Sequence, residues 1–106
     1  MPAYVIGDIT VTDPDRYKDY TAHTESTLEP FGGHFIVRGG AFEMLEGTWE
    51  PGRLVVIEFP SAQAARDWYG SEAYRAILPI RQEASVGSLA LVDGYSPLSV
   101  GVDERP

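Results

Sequence analysis

The 106-residue chain is 43% hydrophobic and 23% charged, a balance that suits one globular domain and excludes a disordered one. With 16 acidic and 8 basic side chains its net charge is -8, which repels phosphate backbones and anionic lipid and argues against nucleic-acid or membrane-surface binding. It has no cysteine, which excludes disulfides, thiolate nucleophiles and cysteine-bound zinc and leaves stability to core packing or a partner chain.

The opening Met1-Pro2-Ala3-Tyr4-Val5 has no basic flank and no long apolar run, so a secretory signal is not expected. No stretch reaches bilayer-spanning length, and the expected location is cytoplasmic. Ala3 to Val11 is rich in β-branched and aromatic residues and reads as a strand whose apolar residues do not alternate cleanly, as in a strand buried on both faces. Asp13-Pro14 starts a helix, with Asp13 as cap and Pro14 at the first helical position. Tyr17, Tyr20, Thr21, Thr24 and Leu28 share one face of it, and Pro30 with Gly32-Gly33 ends it. His34 to Val37 is a second strand. Arg38-Gly39-Gly40 interrupts it, and Phe42 to Glu46 resumes it, either as one bent strand with a bulge at the glycines or as a hairpin of two short strands.

Glu50-Pro51-Gly52 is a turn, and Arg53 to Phe59, with its run Leu54-Val55-Val56-Ile57, is an interior strand. Ser61 caps a helix from Ala62 to about Tyr69, which Gly70-Ser71 breaks. A short turn through Glu72, Ala73 and Tyr74 follows, and Pro79 starts a further piece to Ala84. Val86 to Val92 is the last strand. Residues 1–95 are expected to form the domain and residues 96–106 a tail outside its core.

The order β-α-β-β-α-β predicts an α+β, ferredoxin-like fold: an antiparallel four-stranded sheet with its helices on one face. The other face would stay apolar and bare, and its simplest cover is the same face of a second copy in a two-fold homodimer.

The start Met1-Pro2-Ala3-Tyr4-Val5-Ile6 resembles that of the DUF1330 family, small bacterial proteins of unassigned function. So do Gly32-Gly33, Arg38-Gly39-Gly40, Leu45-Glu46-Gly47, Pro51-Gly52-Arg53, Val56-Ile57-Glu58-Phe59-Pro60 and Trp68-Tyr69, and the likeness runs on through Ser71, Tyr74 and Pro79 to Arg81. It covers roughly Met1 to Gly94. The resemblance implies a dimeric α+β barrel, two ferredoxin-like sheets packed face to face. Relatives in that superfamily include cofactor-independent monooxygenases of aromatic polyketides, polyketide cyclases, muconolactone-type isomerases and haem enzymes, and fold alone does not choose among them.

A pocket between sheet and helices is expected, so polar side chains on strands and inward helix faces are the candidates. Arg38, re-aimed by the bulge, would clamp a carboxylate or enolate oxygen; the structural alternative is an ion pair with an acid such as Glu58. Glu58 would be a general base if it faces the helices and an ordinary carboxylate if it faces water. Trp68 and Tyr74 resemble a cavity-lining pair of the polyketide monooxygenases, offering a flat face and one hydrogen bond; otherwise they plug the core. Tyr20, like Tyr17, either packs in the core or reaches the cavity with its hydroxyl, and Arg81 is either a ligand contact or a salt bridge. His23 is an acid/base candidate if the first helix rolls it inward, and His34 a weaker haem ligand; otherwise both are surface imidazoles. Neither shows metal-ligand spacing, so no metal is expected. The resulting expectation is an enzyme without a tightly bound cofactor, acting on a small hydrophobic or aromatic carbonyl compound. Glu58 or His23 would move the proton, and Arg38 with Tyr74 would stabilise an enolate-like charge. The alternative is a non-catalytic ligand-binding or accessory homodimer.

Overall fold

The computed structural model describes residues 1–95, and the tail expected over residues 96–106 lies outside them. The elements run β1 (Ala3–Val11), α1 (Pro14–Leu28), a 3-10 turn (Glu29–Phe31), β2 (His34–Arg38), β3 (Arg53–Phe59), α2 (Ala62–Tyr69), α3 (Glu72–Ala84) and β4 (Ser85–Asp93). The strands form one antiparallel sheet in the order β2-β3-β1-β4. This is the expected ferredoxin-like arrangement, with the second helical unit divided in two at Gly70.

The local signals act as read. The Asp13 carboxylate accepts from the Arg16 N–H at 3.1 Å. Ser61 and Ser71 do the same for Ala64 and Tyr74 at 3.0 and 3.2 Å. Gly32 takes the left-handed conformation, φ 71°, that closes the 3-10 turn after α1.

β1 lies between β3 and β4 and divides the sheet into two faces. Ala3, Val5, Gly7 and Ile9 are buried, whereas the intervening Tyr4, Ile6, Asp8 and Thr10 are not. Val5 sits opposite Ile57 and Leu91, and Ile6 opposite Val56 and Ala90. Val5, Ile9, Ile57 and Phe59 join Tyr17, Tyr20, Leu28, Trp68, Tyr74 and Leu78 from the helices in the core. No described residue covers the other face, where Ile6 is 39% and Val92 45% exposed. The ragged apolar pattern of β1 therefore reflects apolar residues on both faces, of which the helices bury one.

Two elements differ from expectation. Pro79 does not start a new piece; it lies inside α3, which runs unbroken from Glu72 to Ala84. Proline removes one helical hydrogen bond, but Tyr74, Ile77 and Leu78 before it and Arg81 and Ala84 after it are all buried on the same face, and that packing outweighs the loss. Phe42 to Glu46 forms no strand, and β2 ends at Arg38. Residues 39–52 form a loop held to the sheet by Asp8, whose carboxylate accepts from Trp49 Nε1 at 3.1 Å and the Gly52 N–H at 2.9 Å. The bulge itself lies upstream of the glycines, between Phe35 and Val37.

Gly87, opposite Ile9, marks the tightest approach of β4 to β1: a Cβ there would lie 2.1 Å from the Asp8 carbonyl oxygen. Gly87→Ala is expected to lower stability by about 3 kcal/mol, read as a shifted urea midpoint. An unchanged midpoint would contradict this register.

Candidate functional site

The bulge decides where Arg38 goes. His34 pairs with Glu58 and Phe35 with Ile57, in ordinary alternation. The register then slips, so that Val37 meets Val56 and Arg38 meets Val55. One extra residue inverts every later side chain, because the strand period is two. Arg38 thereby joins Phe35, Val55 and Ile57 on the helix side. There Nη2 donates to the Thr21 carbonyl at 3.1 Å, Nη1 pairs with Glu25, and the guanidinium lies 4.3 Å from the Phe35 ring centroid. The acid that holds Arg38 is thus Glu25 of α1, not Glu58.

A cavity of about 30 Å³ lies between sheet and helices, room for roughly one water. Tyr17 and Tyr20 from α1, Trp68 from α2 and Arg38 and Arg53 from the strands line it, on an apolar floor that includes Gly7 and Leu89. Gly7 helps to make the space: a Cβ there would stand 2.8 Å from Leu89 Cδ2 and 3.3 Å from Val55 Cγ2. Tyr17, Arg38 and Arg53 also line an open groove of about 450 Å³ with Val11, Pro14, Lys18 and Thr21. The arginines therefore stand between groove and cavity.

Behind the cavity wall runs a buried polar chain. The Tyr20 and Tyr74 hydroxyls are 2.9 Å apart, Arg81 Nε donates to the Tyr74 oxygen at 3.3 Å, and Ser85 Oγ donates to the Arg81 carbonyl at 2.5 Å. Trp68, 1% exposed, stacks against Tyr74 with centroids 4.1 Å apart and donates Nε1–H to Thr27 Oγ1 at 3.0 Å. Tyr74 and Arg81 thus support Tyr20 and Trp68 from behind. Among the described residues Arg81 has no carboxylate partner; a phenol takes that place. Burial, followed by the neighbouring Tyr74, pushes the Tyr20 phenol far above its ordinary value, so it stays a neutral hydrogen-bonding group.

The remaining candidates lie elsewhere. His23 is on the exposed side of α1. Glu58 is on the open face of the sheet, where its carboxylate lies 3.1 Å from His34 Nε2 and pushes the Tyr4 phenol up, chiefly through hydrogen bonding. No group of three metal-ligating side chains occurs among the described residues. The structure therefore brings together Arg38, Tyr20 and Trp68, backs them with Tyr74 and Arg81, and leaves out Glu58 and His23.

Two residues of the site escaped the sequence reading. Gly7 had a signal, a lone glycine within a β-branched strand, which marks a close approach or a space. Arg53 had none beyond its place at a strand start beside Pro51-Gly52. Chemically, the site offers cations and a neutral phenol to a negatively charged oxygen. Among the described residues no carboxylate or imidazole lines the cavity.

A ferredoxin-like α+β domain with a cationic cavity between sheet and helices is the class that fold and site define. The chain belongs to the DUF1330 family, a domain of unknown function, which matches residues 2–95. It is similar to the RPA0582 protein of unknown function from Rhodopseudomonas palustris, with 20% identity, 91% of this chain and 84% of that one covered, and a TM-score of 0.73. It is also similar to SnoaB, a cofactor-independent oxygenase from Streptomyces nogalater, with 15% identity, 92% and 96% coverage and a TM-score of 0.62. An antibiotic biosynthesis monooxygenase matches at 17% identity, 91% and 100% coverage and a TM-score of 0.52. At such identities the likeness establishes the fold alone. No functionally curated protein matches the chain in sequence. No helix among the described residues is long and apolar enough to cross a membrane.

The raised Tyr20 pKa fixes a sign for alkaline stability. Unfolded tyrosine ionises near its ordinary value of 10.0, while the folded chain holds Tyr20 protonated. The stabilisation is complete below that value and is lost as pH rises toward the folded pKa. Urea midpoints are expected to fall above about pH 10, less steeply in Tyr20→Phe; equal slopes would contradict the assignment.

Proposed function

We propose that the protein is a homodimeric small-molecule enzyme that needs no tightly bound cofactor and acts on a hydrophobic carbonyl compound through an enolate-like state. The observation that carries this reading is the bulge-directed entry of Arg38 into a cavity that Tyr20 and Trp68 also line. The inner cavity is too small for a ring, so the ring system lies in the groove and only the reacting carbonyl reaches the guanidiniums. Arg38 holds the developing oxyanion, and Tyr20, backed by Tyr74 and Arg81, lends a neutral dipole. Isomerisation, cyclisation and oxygenation by dioxygen all begin from this enolate. The fold shared with SnoaB supports the last of these by analogy.

Glu58 and His23 lie outside the cavity, so proton removal falls to solvent and the substrate must be acidic enough to ionise readily. The same lack of a base favours a second reading, a ligand-binding dimer without turnover. Deuterium wash-in at the carbon α to the carbonyl of 2-tetralone separates the two. The enzyme reading expects exchange above the buffer rate, lowered about 100-fold in Arg38→Gln. Binding without exchange supports the second reading.

The dimer would pair open face to open face and bury Ile6, Leu54, Val56, Ala90 and Val92. Light scattering is expected to give twice the 11.6 kDa chain mass, and Val56→Asp the single mass. A wild-type monomer would refute the pairing.

A further inference from the structure

We propose that Arg53 is the anchor of an anionic ligand: a planar oxyanion, carboxylate or enolate, carried on a ring-sized apolar body. This rests on the reading of the cavity and groove as a ligand site and names the class of compound that enters it.

The chain has twice as many acids as bases, 16 against 8, so an arginine that folding places beside the helices has ample carboxylates to choose from. Arg38 takes one, Glu25. Arg53 takes none among the described residues. Its Nε is buried without a hydrogen-bond partner among the described residues, and its guanidinium carbon lies 5.9 Å from the Tyr17 ring centroid. An unsatisfied buried donor costs stability, and an anion bound at the guanidinium would offset that cost. Backbone geometry keeps the side chain where it is. Arg53 pairs with Ile9 in the sheet, and a Cβ on Gly39 would stand 3.0 Å from the guanidinium, so the loop passes close against it.

The lining is basic. Lys18, Arg38 and Arg53, three of the eight basic residues, line the groove, and among the described residues no acid does, although Glu25 pairs with Arg38 from beside it. Lys18 has only an exposed contact of 4.0 Å with Asp15. A cationic mouth on a chain of net charge -8 selects anions against the field of the rest of the molecule. The donors also match a planar oxyanion: two guanidiniums line one opening, and a guanidinium fork fits two oxygens in one plane. The groove, at about 450 Å³, has space for a fused two-ring body against Tyr17.

The test is an amide-detected NMR titration of the full chain with three probes: 2-naphthoate, the enolate of 1,3-indandione at mildly alkaline pH, and methyl 2-naphthoate as the neutral control. At least one anion is expected to bind about tenfold or more tighter than the ester, shifting amides around Arg38, Arg53 and Tyr17. The stronger anion tells carboxylate from enolate. Arg53→Gln is expected to bring anion and ester within about twofold, and Arg53→Lys to keep part of the preference. Equal binding of anion and ester, or a preference that survives Arg53→Gln, overturns the proposal and leaves the cavity a site for neutral ligands. If no probe moves the cavity amides, the ligand-site reading itself falls, and this proposal with it. Arg53→Gln is expected to melt within about 2 °C of wild type; a fall beyond about 5 °C would make Arg53 a structural residue and overturn the assignment.

Discussion

β1 is hydrogen-bonded to β3 on one edge and to β4 on the other, and its alternation assigns each facing residue of the sheet to one of two sides. The helix side receives Val5, Ile9, Ile57 and Phe59 and closes over them with Trp68, Tyr74 and Leu78. The other side receives Ile6, Leu54, Val56 and Val92. A chain of this length has too few helices to cover both. The proposed division of labour follows from this: the cavity lies on the covered side, and the bare side is the face proposed for association.

A single inserted residue moves one side chain across that divide. Without the slip between Phe35 and Val37, Arg38 would stand on the open face with His34 and Glu58. With it, Arg38 reaches the Thr21 carbonyl and Glu25 on α1 and faces the cavity. The polar chain from the Arg81 side chain through Tyr74 then fixes Tyr20 on the far wall. Burial makes this chain rigid, since each hydroxyl left alone there would cost its desolvation. Gly7 leaves the space between, and Arg53 stands where that space meets the groove.

Most of the fold was legible because its signals are local. Asp13-Pro14, Ser61, Ser71 and Gly32 act through neighbours only a few residues away, and the element order then limits the topology. Pro79 misled for the same reason: its local cost is plain in sequence, while the buried face of α3 that outweighs it is a tertiary property. The loop over residues 39–52 was misread because its anchor is Asp8, distant in sequence. Around the candidate cavity, Trp68, Tyr74 and Tyr20 were singled out because bulky aromatics announce themselves. Arg38 was singled out through a bulge placed a few residues too late. Whether Glu58 faced the helices turned on strand parity, which a bulge in the neighbouring strand does not alter, and sequence left both faces open. Arg53 was invisible because its distinguishing property is the partner it lacks among the described residues.

Solvent relaxation of methyl groups by a soluble paramagnetic probe tests the two-faced sheet most directly. If the bare face is the seat of association, the methyls of Ile6, Val56 and Val92 in the wild-type protein will be as protected as those of Ile9 and Ile57, and Val56→Asp will expose the first set alone. Strong relaxation of Ile6, Val56 and Val92 in the wild-type protein at every concentration would contradict it.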